Sequence, residues 1–168
     1  MADPAEAETP LRYILAAPGD EDAVVAIYTE IGTWLHEQKG VTRQWFRQLP
    51  PEDARQFIDT GELYLAYLGE EHVGALRLTP EPDRLWTENP AALYLHSLAV
   101  RRAYAGHNLG RAMLSWVEDQ ARAAGKERQR LDCMADNLVL RRYYIEAGYT
   151  PLGIHPQYRG FALFEKYL

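Results

Sequence analysis

The chain has 168 residues, 47% of them hydrophobic, and carries 18 Lys and Arg against 24 Asp and Glu for a net charge of −6. That length and apolar share suit one domain with a sizeable core, and the acidic balance argues against nucleic acid as a partner while mildly favouring cationic acceptors. No apolar run approaches membrane-spanning length, so no membrane partner is expected. The single Cys133 has no internal disulfide partner. The opening MADPAEAETP lacks a basic n-region and an apolar h-region, so a soluble, cytoplasmic protein is expected. Residues 1–10 are small, acidic and proline-containing and are read as a flexible tail, leaving 11–168 as a single domain.

Arg12 to Ala17 reads as a first strand, and Pro18-Gly19-Asp20 turns the chain into a helix with Asp20 as its cap. Its apolar stripe is Val24, Ile27, Tyr28, Ile31, Trp34 and Leu35, running toward Gly40. Trp45 and Phe46 follow beside the Pro50-Pro51 break, and a short helix spans about Glu52 to Asp59. Glu62 to Tyr67 and His72 to Leu78 form a hairpin around Gly69-Glu70-Glu71. The loop from Thr79 to Pro90 contains Trp86 and Glu88 and has the length of a lid. Trp86 either covers an acceptor or packs the loop onto the sheet.

From Leu93 the sequence becomes most informative. A strand, Leu93 to Val100, is interrupted by the polar pair His96 and Ser97 and ends at Arg101 and Arg102. Gly106 and Gly110 then flank His107 and Asn108, immediately before a helical stripe of Leu109, Ala112, Met113, Trp116, Val117, Ala121 and Ala124. A glycine turn opening a helix can seat a phosphate, because the first helical N–H groups are unpaired and lie at the positive end of the macrodipole. An ordinary strand-to-helix turn with no ligand is the alternative. Asn108 is the expected N-cap and Gly125 the stop.

A second strand, Arg130 to Met134, runs into Asp136 and Asn137 and then into a helix ending near Ala147 and Gly148. Asn137 and Tyr144 are two helical turns apart, so an amide and a phenol share one face. Tyr149 to Gly153 and Phe161 to Tyr167 close the chain as two further strands.

With these residues in place, the chain resembles the GNAT superfamily of acyl-CoA-dependent N-acyltransferases. The match is carried by Leu98 and Val100, by Tyr104-Ala105-Gly106-His107-Asn108-Leu109-Gly110, by Asn137, and by Tyr143, Tyr144, Gly148 and Tyr149. It departs from the family at Ala105, where Arg or Gln is usual, and at Asn108, where Gly is usual. Asparagine tolerates the left-handed conformation that a glycine there would adopt.

The resemblance implies an α/β fold with a mixed, mostly antiparallel sheet of about seven strands, splayed at the centre, with helices on both faces. It implies acetyl-CoA as co-substrate, no metal, and transfer of an acetyl group to a primary amine of a small molecule by direct attack in a ternary complex. The backbone of Leu98, Ala99 and Val100 would pair with the pantetheine arm. Ala105, Gly106, His107, Asn108, Gly110 and Arg111 would take the pyrophosphate, and Asn137 would hold the arm or the splay. Tyr144 matches the family's general acid, and a phenol of pKa about 10 can protonate a thiolate of about 9 as charge develops. Its alternative is a buried Tyr with a local partner.

His96 precedes the pantetheine strand and is a candidate base; a structural strand His, or a water relay to Glu88 or Glu30, are its alternatives. Trp34, Trp45 and Trp86 are candidates for acceptor contact, with core packing as the competing reading. His36, His72, His107 and His155 show no metal-ligand spacing, and neither Cys133 nor the Asp132 and Asp136 flanking it is read as a metal or nucleophile site. A protein or peptide acyltransferase, and a non-catalytic acyl-CoA-binding sensor, remain as alternative functions. A homodimer is compatible with the sequence.

Overall fold

The computed structural model describes residues 10–39, 49–88 and 90–168. In chain order the elements are β1 (Leu11–Leu15), α1 (Glu21–Lys39), α2 (Pro51–Asp59), β2 (Leu63–Leu68), β3 (Glu71–Thr79), β4 (Ala92–Val100), α3 (Leu109–Ala123), β5 (Arg128–Met134), α4 (Leu138–Glu146), β6 (Thr150–Ile154) and β7 (Phe161–Tyr167). The expected strands and helices are all present, and a short 3-10 turn at Arg102–Tyr104 is an addition. The tail expected at the N-terminus and the segment with Trp45 and Phe46 lie outside the described residues, apart from Pro10.

The sheet has seven strands in the order β1-β2-β3-β4-β5-β7-β6. β4 and β5 are parallel, whereas β1–β2, β5–β7 and β6–β7 are antiparallel. The architecture is thus the mixed α/β sheet expected. The chain divides into two compact units, one running to Ala75 with Ala99–Tyr104, the other comprising Leu76–Leu98 and Ala105–Leu168.

In the first unit, α1 buries Val24, Ile27, Tyr28 and Ile31 against Ala54 and Ile58 of α2 and Leu63 and Leu65 of β2. These positions of α1 recur at three- and four-residue spacing, which is why one helical stripe meets one sheet face. Asp20 stands at the entry to α1 as expected, but its carboxylate accepts the N–H of Ala17 at 2.8 Å while its carbonyl accepts that of Val24. It fixes the preceding turn instead of capping with its side chain.

In the second unit, α3 buries Met113, Leu114, Val117 and Ala121. Leu114 was absent from the expected stripe, and Ala112 and Ala124, which were in it, are exposed. The larger leucine is drawn to the interior and the helix is rotated toward it. Gly125 ends α3 in a left-handed conformation (φ 66°), with the Lys126 N–H reaching the Ala121 carbonyl at 2.9 Å. This is the glycine stop that the sequence predicts.

Candidate active site

Three features of the second unit form the candidate site. The first is a slot between parallel strands. Pairing of β4 with β5 runs from Ala92↔Arg128 to Leu95↔Leu131 and stops there, while β5 stays paired with β7 as far as Met134↔Phe161. Beyond Leu95 the two strands therefore part, leaving strand backbone that an extended ligand can bond as an added strand would. Two residues further on, Ser97 has a left-handed φ of 54°, an irregularity within β4. Sequence reading marked Ser97 only as a polar interruption, and no residue type there signals a positive φ.

The second feature is the turn before α3. Gly106 (φ 84°) and Asn108 (φ 57°, ψ 13°) are both left-handed, and α3 begins at Leu109 with the Ala112 N–H bonded to the Asn108 carbonyl at 3.0 Å. Asn108 occupies the N-cap position, as expected, but its side chain makes no cap bond. The N–H groups of Leu109, Gly110 and Arg111 thus have no intrahelical partner and stand at the positive end of a 15-residue helix. His107 contacts the Ala105 carbonyl through Nδ1 at 3.1 Å. Arg111 is turned toward α4: it donates to the Glu146 carbonyl at 2.8 Å and lies over the Tyr143 ring at 4.9 Å.

The third feature is α4. Asn137 is its N-cap, and its Oδ1 accepts the Leu140 N–H at 3.0 Å. Tyr144 is 5% exposed and sits edge-on to Tyr149 at 5.9 Å and beside Phe164 at 5.6 Å. Burial, and to a lesser degree Cys133, Tyr143 and Asp132, push its phenol well above the usual tyrosine range. It is therefore a protonated donor at any working pH, and among the described residues its hydroxyl makes no hydrogen bond.

On the other face of β4 and β5, Tyr94, His96, Arg130 and Asp132 follow in alternation. His96 Nε2 lies 3.0 Å from Thr79 Oγ1, whose own hydrogen goes to the Glu81 carbonyl. Nε2 must then carry the ring proton in the neutral form. Trp86 is 8% exposed and packs the loop onto this face, with Tyr94 at 5.8 Å and the Arg130 guanidinium at 4.7 Å. Asp132 lies largely buried at the level where the strands part. Burial, chiefly, and the carboxylate of Asp83 push its carboxyl up to about 7 against the pull of Arg84. Cys133 is buried and its thiol is raised to about 12 by desolvation, so no thiolate nucleophile is available there. Among the described residues no cluster of His, Cys, Asp or Glu has the arrangement of a metal site.

In the first unit, Trp34 lines an open cavity of about 490 Å³ with Glu30, Glu37 and Arg102. The Arg102 guanidinium stacks on its ring at 3.8 Å. Glu30 accepts from Arg101 Nε at 2.9 Å and from the Arg102 N–H at 2.7 Å, so it is engaged in fixing the chain after β4. Ala99 is part of this unit's core.

Unpaired strand backbone can bond an extended ligand, and the unpaired N–H groups of a helix N-terminus can hold a phosphate. Comparison with known proteins gives the class. The family model for the acetyltransferase (GNAT) family matches residues 22–149, and the chain belongs to that family of acyltransferases. An uncharacterized N-acetyltransferase, YesJ of Bacillus subtilis, is 32% identical over 156 residues, covering 88% of this chain and 84% of that one. The fold is shared with a GNAT family acetyltransferase of Listeria monocytogenes (TM-score 0.79, 25% identity, 94% of this chain and 95% of that one). It is shared also with the PaiA N-acetyltransferase of Thermoplasma acidophilum, solved in complex with coenzyme A (TM-score 0.76, 15% identity, 95% and 99%).

Proposed function

We propose that the protein transfers an acetyl group from acetyl-CoA to a primary amine of a small molecule, by direct attack within a ternary complex. The observation that carries this reading is the parting of β4 from β5 beyond Leu95↔Leu131, next to the left-handed turn at Gly106 and Asn108. In this reading the pantetheine arm bonds the backbone of β4 past Leu95, as far as Leu98, and the pyrophosphate takes the N–H groups of the turn from Ala105 to Arg111. Asn137 keeps α4 anchored at the far wall of the slot through its cap bond.

The thioester carbon then lies between two faces. The amine arrives from the face of His96 and Trp86, where His96 is proposed to hold it against the carbonyl carbon. Tyr144 waits on the opposite face and gives its proton to the departing sulfur. A buried phenol with a raised pKa is a poor donor in water, but it is suited to a thiolate formed beside it in the same dry slot. The compact, packed loop carrying Trp86 fits a small acceptor better than an extended peptide.

The test is release of free coenzyme A thiol across a panel of amines, amino acids and diamines. Thiol release that depends on the amine supports the reading; acetyl-CoA binding with no transfer to any amine or peptide would favour a sensor. Ala105 offers a separate check. Ala105→Arg adds a charged donor at the pyrophosphate turn, worth about 1 kcal/mol at an exposed position, so affinity for acetyl-CoA should rise about fivefold by calorimetry.

A further inference from the structure

We propose that Asp132 is the group that takes the proton from the acceptor ammonium, so that a neutral amine reaches the thioester. This rests on the transferase reading above and adds a catalytic residue to it.

Asp132 is the first residue of β5 past the last pair with β4, and it stays fixed in the sheet by its pairing with Leu163 of β7. Its side chain alternates with that of Arg130 and so shares the face of Tyr94, His96 and the Trp86 loop. Tyr144 packs on Phe164, which pairs with Leu131 and belongs to the opposite face. An acid and a carboxylate therefore flank the slot from its two sides, so that one can take a proton from the amine that adds to the thioester carbonyl and the other can protonate the sulfur that leaves.

The surroundings of Asp132 distinguish it from a structural carboxylate. Glu165, on the adjoining strand β7, is 6% exposed and is paired with Arg130 at 2.6 Å. Asp132 has no hydrogen bond or ion pair among the described residues. The charged and titratable groups around it are Asp83 and Arg84 from the loop, Cys133 on its own strand and Tyr144 from α4, with His96 of β4 and Arg130 on its own face. Asp83 and Arg84 oppose one another, leaving burial to hold the carboxyl near neutrality. A carboxylate held largely out of water with no hydrogen bond to stabilise its charge is costly, and such a cost is kept where a site uses the group. His96 is less suited to the role, because its Nε2–H is committed to Thr79. It stands beside Asp132 as a positioning residue.

The step balances as follows. The Asp132 carboxylate removes one proton from R–NH3+, giving R–NH2 and a carboxylic acid. The amine lone pair forms the C–N bond, the C–S bond breaks, and Tyr144 donates its proton to the sulfur. The second nitrogen proton returns to the Tyr144 oxygen, and Asp132 releases its proton to water.

Two readouts on the 168-residue chain test this. The first is NMR titration of protein labelled with 13C at aspartate carboxyls, without ligand. One carboxyl should titrate near pH 7, and its signal should vanish in Asp132→Asn. The second is kcat/KM against pH with the best amine found. Wild type should rise through a limb near pH 7, distinct from the limb at the amine's own higher pKa. Asp132→Asn should lose that limb and at least about 100-fold in rate while still binding acetyl-CoA; Asp132→Glu should restore part of the rate. His96→Gln should keep the limb near 7. Titration of Asp132 near pH 4, or an unaltered profile in Asp132→Asn, would overturn the assignment. Either result leaves the transferase reading standing, whereas failure to bind acetyl-CoA would remove that reading while the NMR titration still decided the state of Asp132.

Discussion

Tyr144→Phe is expected to lower amine-dependent thiol release by about 10²- to 10³-fold while acetyl-CoA binds within a few-fold of wild type. The substitution removes one oxygen from a ring that is 5% exposed and held among Tyr149, Phe164 and Tyr143. Because that hydroxyl makes no hydrogen bond among the described residues, no partner is orphaned and stability should change little. Loss of rate with retained binding and an unchanged melting temperature would therefore report chemistry alone. An equal loss of binding would instead mark Tyr144 as part of the cofactor pocket, and an unchanged rate would take the acid role away from it. The raised phenol pKa also fixes the sign of one pH effect: Tyr144 stays protonated throughout the working range, so no fall in kcat from its ionisation should appear on the alkaline side below about pH 10.

Arg130→Met is expected to destabilise the protein by about 3 kcal/mol, with a fall in melting temperature of about 10 °C. Arg130 and Glu165 are 6% and 8% exposed at the side chain and bonded at 2.6 Å, and the guanidinium also stacks on Trp86. Removing the cation leaves Glu165 buried. The loss falls at the low end of the usual range for a broken buried pair, because Arg128 remains 3.4 Å from the same carboxylate oxygen. Met retains much of the apolar stem, so the effect is electrostatic more than volumetric. Chemical denaturation of Arg130→Met, and of the double variant Arg130→Met with Glu165→Leu, measures it. The double variant should recover most of the loss; if it is no more stable than Arg130→Met, the account of a stranded carboxylate is wrong.

Much of the fold was legible in the sequence because its signals are local. Helix spacing in Val24, Ile27, Tyr28 and Ile31, the left-handed stop at Gly125, and the short apolar run of β4 each act over a few residues. The turn at Gly106 and Asn108 was legible for the same reason: two residue types that tolerate a positive φ stand directly before an amphipathic helix. What escaped was set by pairing across the chain. The left-handed φ at Ser97, just past the last β4–β5 pair, is announced by no residue type at that position. Asp132 was visible only as one of two acidic residues beside Cys133; its burial and lack of a partner arise from β7 and the loop through Asp83 and Arg84. Trp86 remained ambiguous for a related reason, since only the position of Tyr94 and Arg130 shows that it packs inward. The caps at Asp20 and Asn108 were correctly placed in the chain, but the direction of their side chains is decided by backbone geometry and not by residue type.

The most direct test of the whole account is calorimetric titration of acetyl-CoA into the 168-residue chain. The slot beyond Leu95↔Leu131 and the open N–H groups at Leu109, Gly110 and Arg111 predict one molecule bound per chain, in the micromolar range, with desulfo-coenzyme A competing for the same site. Absence of binding at millimolar acetyl-CoA would contradict the assignment of the slot and the turn as a cofactor site.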